Sequence, residues 1–205
     1  MPRTPASLRG PGSPGIRDHL VEVTRRLIAE RRAAGLTVRA IAREADVASG
    51  VIYNYFDDKE DLLAQGFLAH LDTVERTLPR PPRPGEDTLE GNLTTYVEYL
   101  LALHDAILPA FAGLLAHPEA IARFQAMPAS DKGGDLHQHV ESHLRAERDL
   151  GRIRAGVDTA SAASLLIGAC YELVLPQFGR DVQPRQERDR WAARLVETLL
   201  DGCRG

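Results

Sequence analysis

Lysine is nearly missing from this chain of 205 residues: there are two, against 23 arginines. That bias by itself says nothing about function. Cysteine is equally scarce, and Cys170 and Cys203 have no close pairing. This excludes a disulfide framework and a zinc-ligand pattern, and it points to a reducing, cytoplasmic setting. No apolar run approaches the roughly 18 residues that span a bilayer, so no membrane partner is expected. The opening MPRTPASLRGPGSPG has no apolar core and is not a secretory leader. Also lacking are a phosphate-cradling glycine loop, a G-x-S-x-G elbow and any Cys–His arrangement with supporting context, so no catalytic residues are assigned and no cofactor is expected.

What is present is unevenly spread. Residues 1–45 hold nine arginines and four acids, a balance of +5. The whole chain carries −4, which leaves −9 for residues 46–205. A basic head on an acidic body fits a DNA reader with a separate regulatory part. At 43% hydrophobic and 26% charged residues, the chain can bury a core.

The most informative stretch is residues 37–59, TVRAIAREADVASGVIYNYFDDK. Val38, Ile41, Ala42 and Ala45 recur at helical spacing, and Thr37 precedes them as an N-cap. A break follows at residues 46–48. Ser49 then reads as a second N-cap, with Ile52, Tyr55 and Phe56 on one face. Two short helices around a tight turn make a helix-turn-helix, whose second helix can enter the DNA major groove N-terminus first. Ser49, Gly50, Tyr53 and Asn54 cluster at that end. Gly50 permits close approach, Asn54 can read an adenine edge, and Tyr53 and Tyr55 can reach phosphates. Val51 offers only a methyl contact to thymine.

These residues resemble the DNA-binding domain of the TetR family of bacterial repressors. Thr37, Ile41, Ala42, Ala45, Val47, Gly50, Tyr53, Tyr55, Phe56, Lys59, Leu62 and Leu63 stand where the family's pattern has them, and the likeness runs over about residues 16–64. Ala48-Ser49 and Val51 depart from it. The resemblance implies an all-α protein: an N-terminal three-helix helix-turn-helix domain, then a helical C-terminal ligand-binding and dimerisation domain. It implies that the partners are a double-stranded DNA operator, a small-molecule effector and a second copy of the chain. It makes Arg39, Ser49, Gly50, Tyr53 and Asn54 base-proximal, with Arg17, Thr37, Tyr55 and Lys59 on phosphates.

The rest of the chain reads as helix. Residues 1–14 are a tail rich in proline, glycine, serine and arginine, with Arg3 and Arg9 as a possible minor-groove arm. A first helix spans 16–33. A helix from Asp57 or Asp58 to about Leu78 looks like a connector, and the proline-rich 79–85 ends it. Further helices are expected at 87–105, 106–116, 118–127, 130–152, 158–178 and 185–203. The domains are thus 1–14, 15–60 and 61–205. Ala160, Ser164, Ile167, Gly168 and Tyr171, a face rich in small residues, with Leu136, Val140 and Leu144 on the preceding helix, form the expected dimer seam. Tyr96, Tyr99, Leu100, His104, Phe111, Phe124, His137, Tyr171 and Phe178 are the candidate ligand contacts, in a mainly apolar pocket with a few polar groups. His139 and His143 stand at i, i+4, a metal-ligand spacing, extended by Asp135 and Glu147; a wet surface row reads better, so no metal is assigned. A metal-dependent or small-molecule enzyme and a helical adaptor are the competing readings.

Overall fold

The computed structural model describes residues 15–31, 35–127, 136–175 and 185–203, and among these every regular element is a helix. In order they are α1 (Ile16–Arg31), α2 (Val38–Glu44), α3 (Ser49–Ile52), α4 (Lys59–Thr77), α5 (Leu89–Leu114), α6 (Pro118–Gln125), α7 (Leu136–Asp149), α8 (Thr159–Val174) and α9 (Arg185–Cys203). The tail with Arg3 and Arg9, Asp135 and Phe178 lie outside the described residues.

The chain divides into two compact units, but not at residue 60, which falls inside α4. The first unit is residues 1–76 with 107–133, and the second is 77–106 with 134–205. α5 supplies its first part to the second unit and its last two turns to the first. It was expected as two helices, 87–105 and 106–116, yet it runs unbroken through Pro109. An internal proline costs a helix about 3 kcal/mol. Burial of Leu108, Ala110 and Leu114 around Pro109 offsets that cost. α5 also corrects the reading of apolar runs. Among the described residues it alone is long and apolar enough to cross a membrane, and half of that stretch is buried within the protein, as in a core helix.

The first unit closes on the stripes seen in the sequence. Leu20, Val23, Leu27 and Ile28 of α1 meet Ile41, Ile52, Phe56, Leu62, Leu63 and Phe67 in one core. α1 and α4 approach closely at Gly66: a Cβ there would lie 2.6 Å from Thr24 Cγ2 and 3.3 Å from the Arg25 backbone nitrogen. Gly66→Ala is therefore expected to destabilise the chain by about 1–3 kcal/mol, as overpacking does. Adding Thr24→Ala should recover part of the loss in a denaturant titration, because the nearer clash disappears and the backbone contact stays.

In the second unit, α7 and α8 are the most extensively paired helices. Leu93, Val97 and Leu100 of α5, Val140 and Leu144 of α7, Ala163, Leu166 and Cys170 of α8 and Val196 of α9 are all buried. Burial pushes the Cys170 thiol up to about 12, so it is held as an unreactive thiol.

Candidate nucleic-acid interface

The turn between α2 and α3 is built by hydrogen bonds that the sequence only hinted at. Asp46 takes a left-handed conformation, φ 55°, which aspartate tolerates better than most residues. Its N–H bonds to the Arg43 carbonyl, and the Val47 N–H reaches back to the Ala42 carbonyl at 3.0 Å. That pair of bonds is a Schellman closure of α2. It stops one helix and sets the angle of the next within three residues. At the other end of α2, Thr37 Oγ1 accepts from the Ala40 N–H at 3.1 Å, the expected cap.

α3 opens one residue earlier than expected. Ala48 is its N-cap, with no side-chain bond, and Ser49 is the first helical residue. The helix is brief; the chain continues through turns in which the Asn54 N–H bonds to the Val51 carbonyl and the Phe56 N–H to the Ile52 carbonyl. Residues 49–56 therefore sort sharply by side. Val51, Ile52 and Phe56 are buried at 7%, 0% and 3% exposure, whereas Tyr53 is 58% and Tyr55 41% exposed. Gly50 and Asn54 are exposed and Ser49 half-buried. Nothing lies within 4 Å of where a Gly50 side chain would start. Val51 is a correction: it is an inward core residue and has no face for a thymine methyl.

The cationic candidates differ from one another. Arg39 is exposed on the first turn of α2, and Arg43, which the sequence reading passed over, is exposed on its last turn. Arg17 lies with its guanidinium 5.5 Å from the Phe56 ring centre and donates to Gln65 Oε1. Lys59 begins α4, with Nζ 3.3 Å from Glu60 and 3.5 Å from His117 Nδ1. Just before it, Asp58 caps the Asp61 N–H at 2.8 Å and bonds Arg123 at 2.5 Å. No local pattern could have revealed Arg123, which stands 65 residues away from its partner.

Residues 20–65 match the family described as bacterial regulatory proteins, tetR family. That match assigns residues 20–65 to a TetR-type DNA-binding domain and leaves the rest of the chain outside it. It is 36% identical over 99 residues to the HTH-type transcriptional repressor KstR2 of Rhodococcus jostii, a match covering 47% of this chain and 48% of that one. It is 39% identical over 64 residues to the HTH-type transcriptional regulator HbdR of an Aromatoleum species, covering 31% and 28%. The chain thus spans about half or less of the curated relatives it matches. The regulator FadR of Bacillus subtilis, solved in complex with stearoyl-CoA, shares the fold with TM-score 0.60 over 90% of this chain and 98% of its own, at 20% identity.

The remaining candidates fall into three groups. Phe111 and Phe124 are in the first unit, against Phe67 at 6.0 and 5.1 Å between ring centres. They are separated from the other ligand candidates and pack as aromatic core. Tyr96, Leu100 and His104 are buried on α5 in the second unit, and Tyr99 is half-buried. His104 Nδ1 bonds the Leu100 carbonyl at 2.5 Å, its Nε2 is buried with no partner among the described residues, and its ring meets Tyr171 edge-on at 4.5 Å. His137 Nε2 lies 3.0 Å from Ser164 Oγ and 3.1 Å from the Ala160 carbonyl, joining α7 to α8. None of these side chains lines the one cavity described below.

The dimer candidates also divide. Val140 and Leu144 are 1% and 2% exposed within a single chain, so they are core and not seam. Leu136, Ala160 and Ile167 are half-buried, whereas Ser164, Gly168 and Tyr171 are exposed on α8. Leu165 and Leu175, 65% and 46% exposed, are further exposed leucines within and just past the end of the same helix.

The His139–His143 row breaks apart. His139 is exposed, while His143 is buried with Nε2 donating to Asn92 Oδ1 at 2.8 Å. Among the described residues no three His, Cys, Asp or Glu side chains could hold a metal. Burial holds both His104 and His143 below the usual histidine range. A depressed histidine favours the folded state above the unfolded pKa of about 6.5, and that stability is lost as pH falls and the unfolded chain takes up protons. The melting temperature is expected to fall between pH 7.5 and 5.5, and His143→Gln should flatten the slope. Glu22 and Asp158, also held low by Arg25 and by the α8 N–H groups, titrate below that window.

Proposed function

We propose that this chain is a ligand-responsive transcriptional repressor, not an enzyme: a homodimer that binds a palindromic operator in the cytoplasm and is released by a small molecule in its second unit. The single observation that carries the reading is the sorting of residues 49–56, with Gly50, Tyr53, Asn54 and Tyr55 outward and Val51, Ile52 and Phe56 inward. A reading surface is what that face offers, since its inward side already completes the core. Arg39, Ser49, Gly50, Tyr53 and Asn54 lie nearest the bases in this reading, and Thr37, Tyr55, Arg17 and Lys59 nearest phosphates.

One small head buries too little surface for tight specific binding, so two heads are required. The exposed stripe Ser164, Leu165, Gly168, Tyr171 and Leu175 on α8 supports a helix-to-helix seam. Two heads about 34–36 Å apart meet successive major grooves. An effector acts by binding one dimer geometry better than the other, and only by that difference. An acyl-CoA is the first effector to try, given the stearoyl-CoA bound by a protein of the same fold.

The test is a gel shift on the chain's own upstream DNA across a salt series, with a scrambled duplex as competitor. The expected result is a selective shift at dimer stoichiometry whose affinity falls steeply with salt. Absence of any shift at low salt, from folded dimer, would overturn the reading in favour of an adaptor or an enzyme. Equal operator affinity with every bound ligand would overturn the release mechanism alone.

A further inference from the structure

A cavity of about 100 Å³ lies in the second unit, walled by the start of α5, the α7–α8 connection and the end of α9. Its floor is apolar and buried: Leu93, Leu144, Ala162 and Leu200 are all below 9% exposure. Its lining also includes two arginines, Arg152 and Arg154. The two differ in what they are free to do. Arg152 is committed, 3.3 Å from the buried Glu147 carboxylate and bonded to the Asp87 carbonyl at 2.8 Å. Arg154 is exposed and makes no salt bridge among the described residues. An apolar floor beside one uncommitted cation is a site for a small molecule with an apolar tail and one negative end.

We infer that this cavity binds a small aliphatic monocarboxylate, its tail on Leu93, Leu144 and Ala162 and its carboxylate on Arg154. The volume sets the size. An apolar cavity of about 150 Å³ takes a benzene ring, so this one, two thirds as large, takes a tail of about four carbons. Long acyl chains are too large for it. A neutral molecule of the same shape would fill the floor and leave Arg154 without a counterion. This is a site separate from the effector candidates His104, His137 and Tyr171, and it stands whether or not the repressor reading does.

The probe is isovalerate, titrated calorimetrically into the full-length chain, with isovaleramide as the neutral equivalent and decanoate as the oversize one. The expected result is binding of isovalerate at least 10-fold tighter than of either control. Arg154→Gln, at an exposed position, should weaken isovalerate at least 10-fold and leave the amide unchanged. Ala162→Leu fills the floor and should abolish binding of both without lowering the melting temperature. Equal affinity for acid and amide would overturn the role of Arg154, and undiminished binding to Ala162→Leu would place the ligand elsewhere. No heat at tens of millimolar isovalerate would overturn the site outright. The operator gel shift without added carboxylate reports separately on the repressor reading.

Discussion

Asn54→Ala will weaken binding to the chain's own operator by about 10²–10⁴-fold while leaving binding to a scrambled duplex nearly unchanged. The size follows from two heads per complex, each losing a base contact worth about 1–3 kcal/mol. The selectivity follows from what Asn54 does in the chain itself. Its backbone N–H is used, bonded to the Val51 carbonyl. Its side chain is exposed and makes no hydrogen bond among the described residues, so truncation costs the fold nothing. Helicity and melting temperature should therefore match the unmodified chain. Val51→Thr is the internal contrast: three residues earlier and buried, it should lower stability and leave the operator preference alone. A phosphate contact behaves differently again. Lys59→Gln should weaken both duplexes alike and reduce the salt slope by about one ion per head. Equal loss on operator and scrambled DNA for Asn54→Ala would remove it from base readout and leave it as a backbone contact.

The parts of the chain that the sequence made legible are those governed by neighbours in the chain. Thr37 caps α2, and the stripes of α1 and α4 face the core, because a 3.6-residue period fixes a face once the helix exists. The details that escaped are of two kinds. Some are choices among equivalent local solutions: Asp46 in the left-handed turn moves the start of α3 to Ala48, and Ser49 was the better capper in isolation. The break expected between residues 105 and 106 is not there, because burial on both sides of Pro109 carries the helix through. Others are long-range pairings with no local signature. Periodicity put Val140 and Leu144 on an apolar face but could not say whether α8 of the same chain or of a partner covers it. It put His143 in a row with His139 but could not show Asn92, 51 residues away, waiting for it. The same limit scattered the ligand candidates, since Phe111 and His104 share α5 and belong to different units.

The most consequential of those hidden pairings predicts the largest loss of stability in the chain. Glu147→Ala should cost about 3 kcal/mol, the low end of what breaking a buried ion pair does. Glu147 has no exposed side-chain surface. Its Oε1 accepts from the Gly85 N–H at 3.0 Å, and its Oε2 lies 3.3 Å from Arg152, with no aligned hydrogen bond of its own. Gly85 stands at φ +84°, and a side chain there would meet Leu150 at 3.0 Å, so the loop fits only as glycine. Asn92 holds the same loop from the other side, donating to the Arg83 and Glu86 carbonyls at 2.7 and 3.0 Å while accepting from His143. The proline-rich connection after α4 is thus fastened to α7 and α5 by side chains and not by its own secondary structure. Removing the carboxylate strands the Gly85 N–H and leaves Arg152, 21% exposed, to be hydrated in part by water, which is why the low end applies. Glu147→Gln keeps an acceptor for Gly85 and should lose about half as much. Urea titrations give both numbers as shifts in midpoint at constant slope, and limited proteolysis should cut first within residues 79–88 of the alanine variant. A midpoint unmoved by Glu147→Ala would mean that the loop is held by Asn92 alone, and Asn92→Ala would then carry the whole effect.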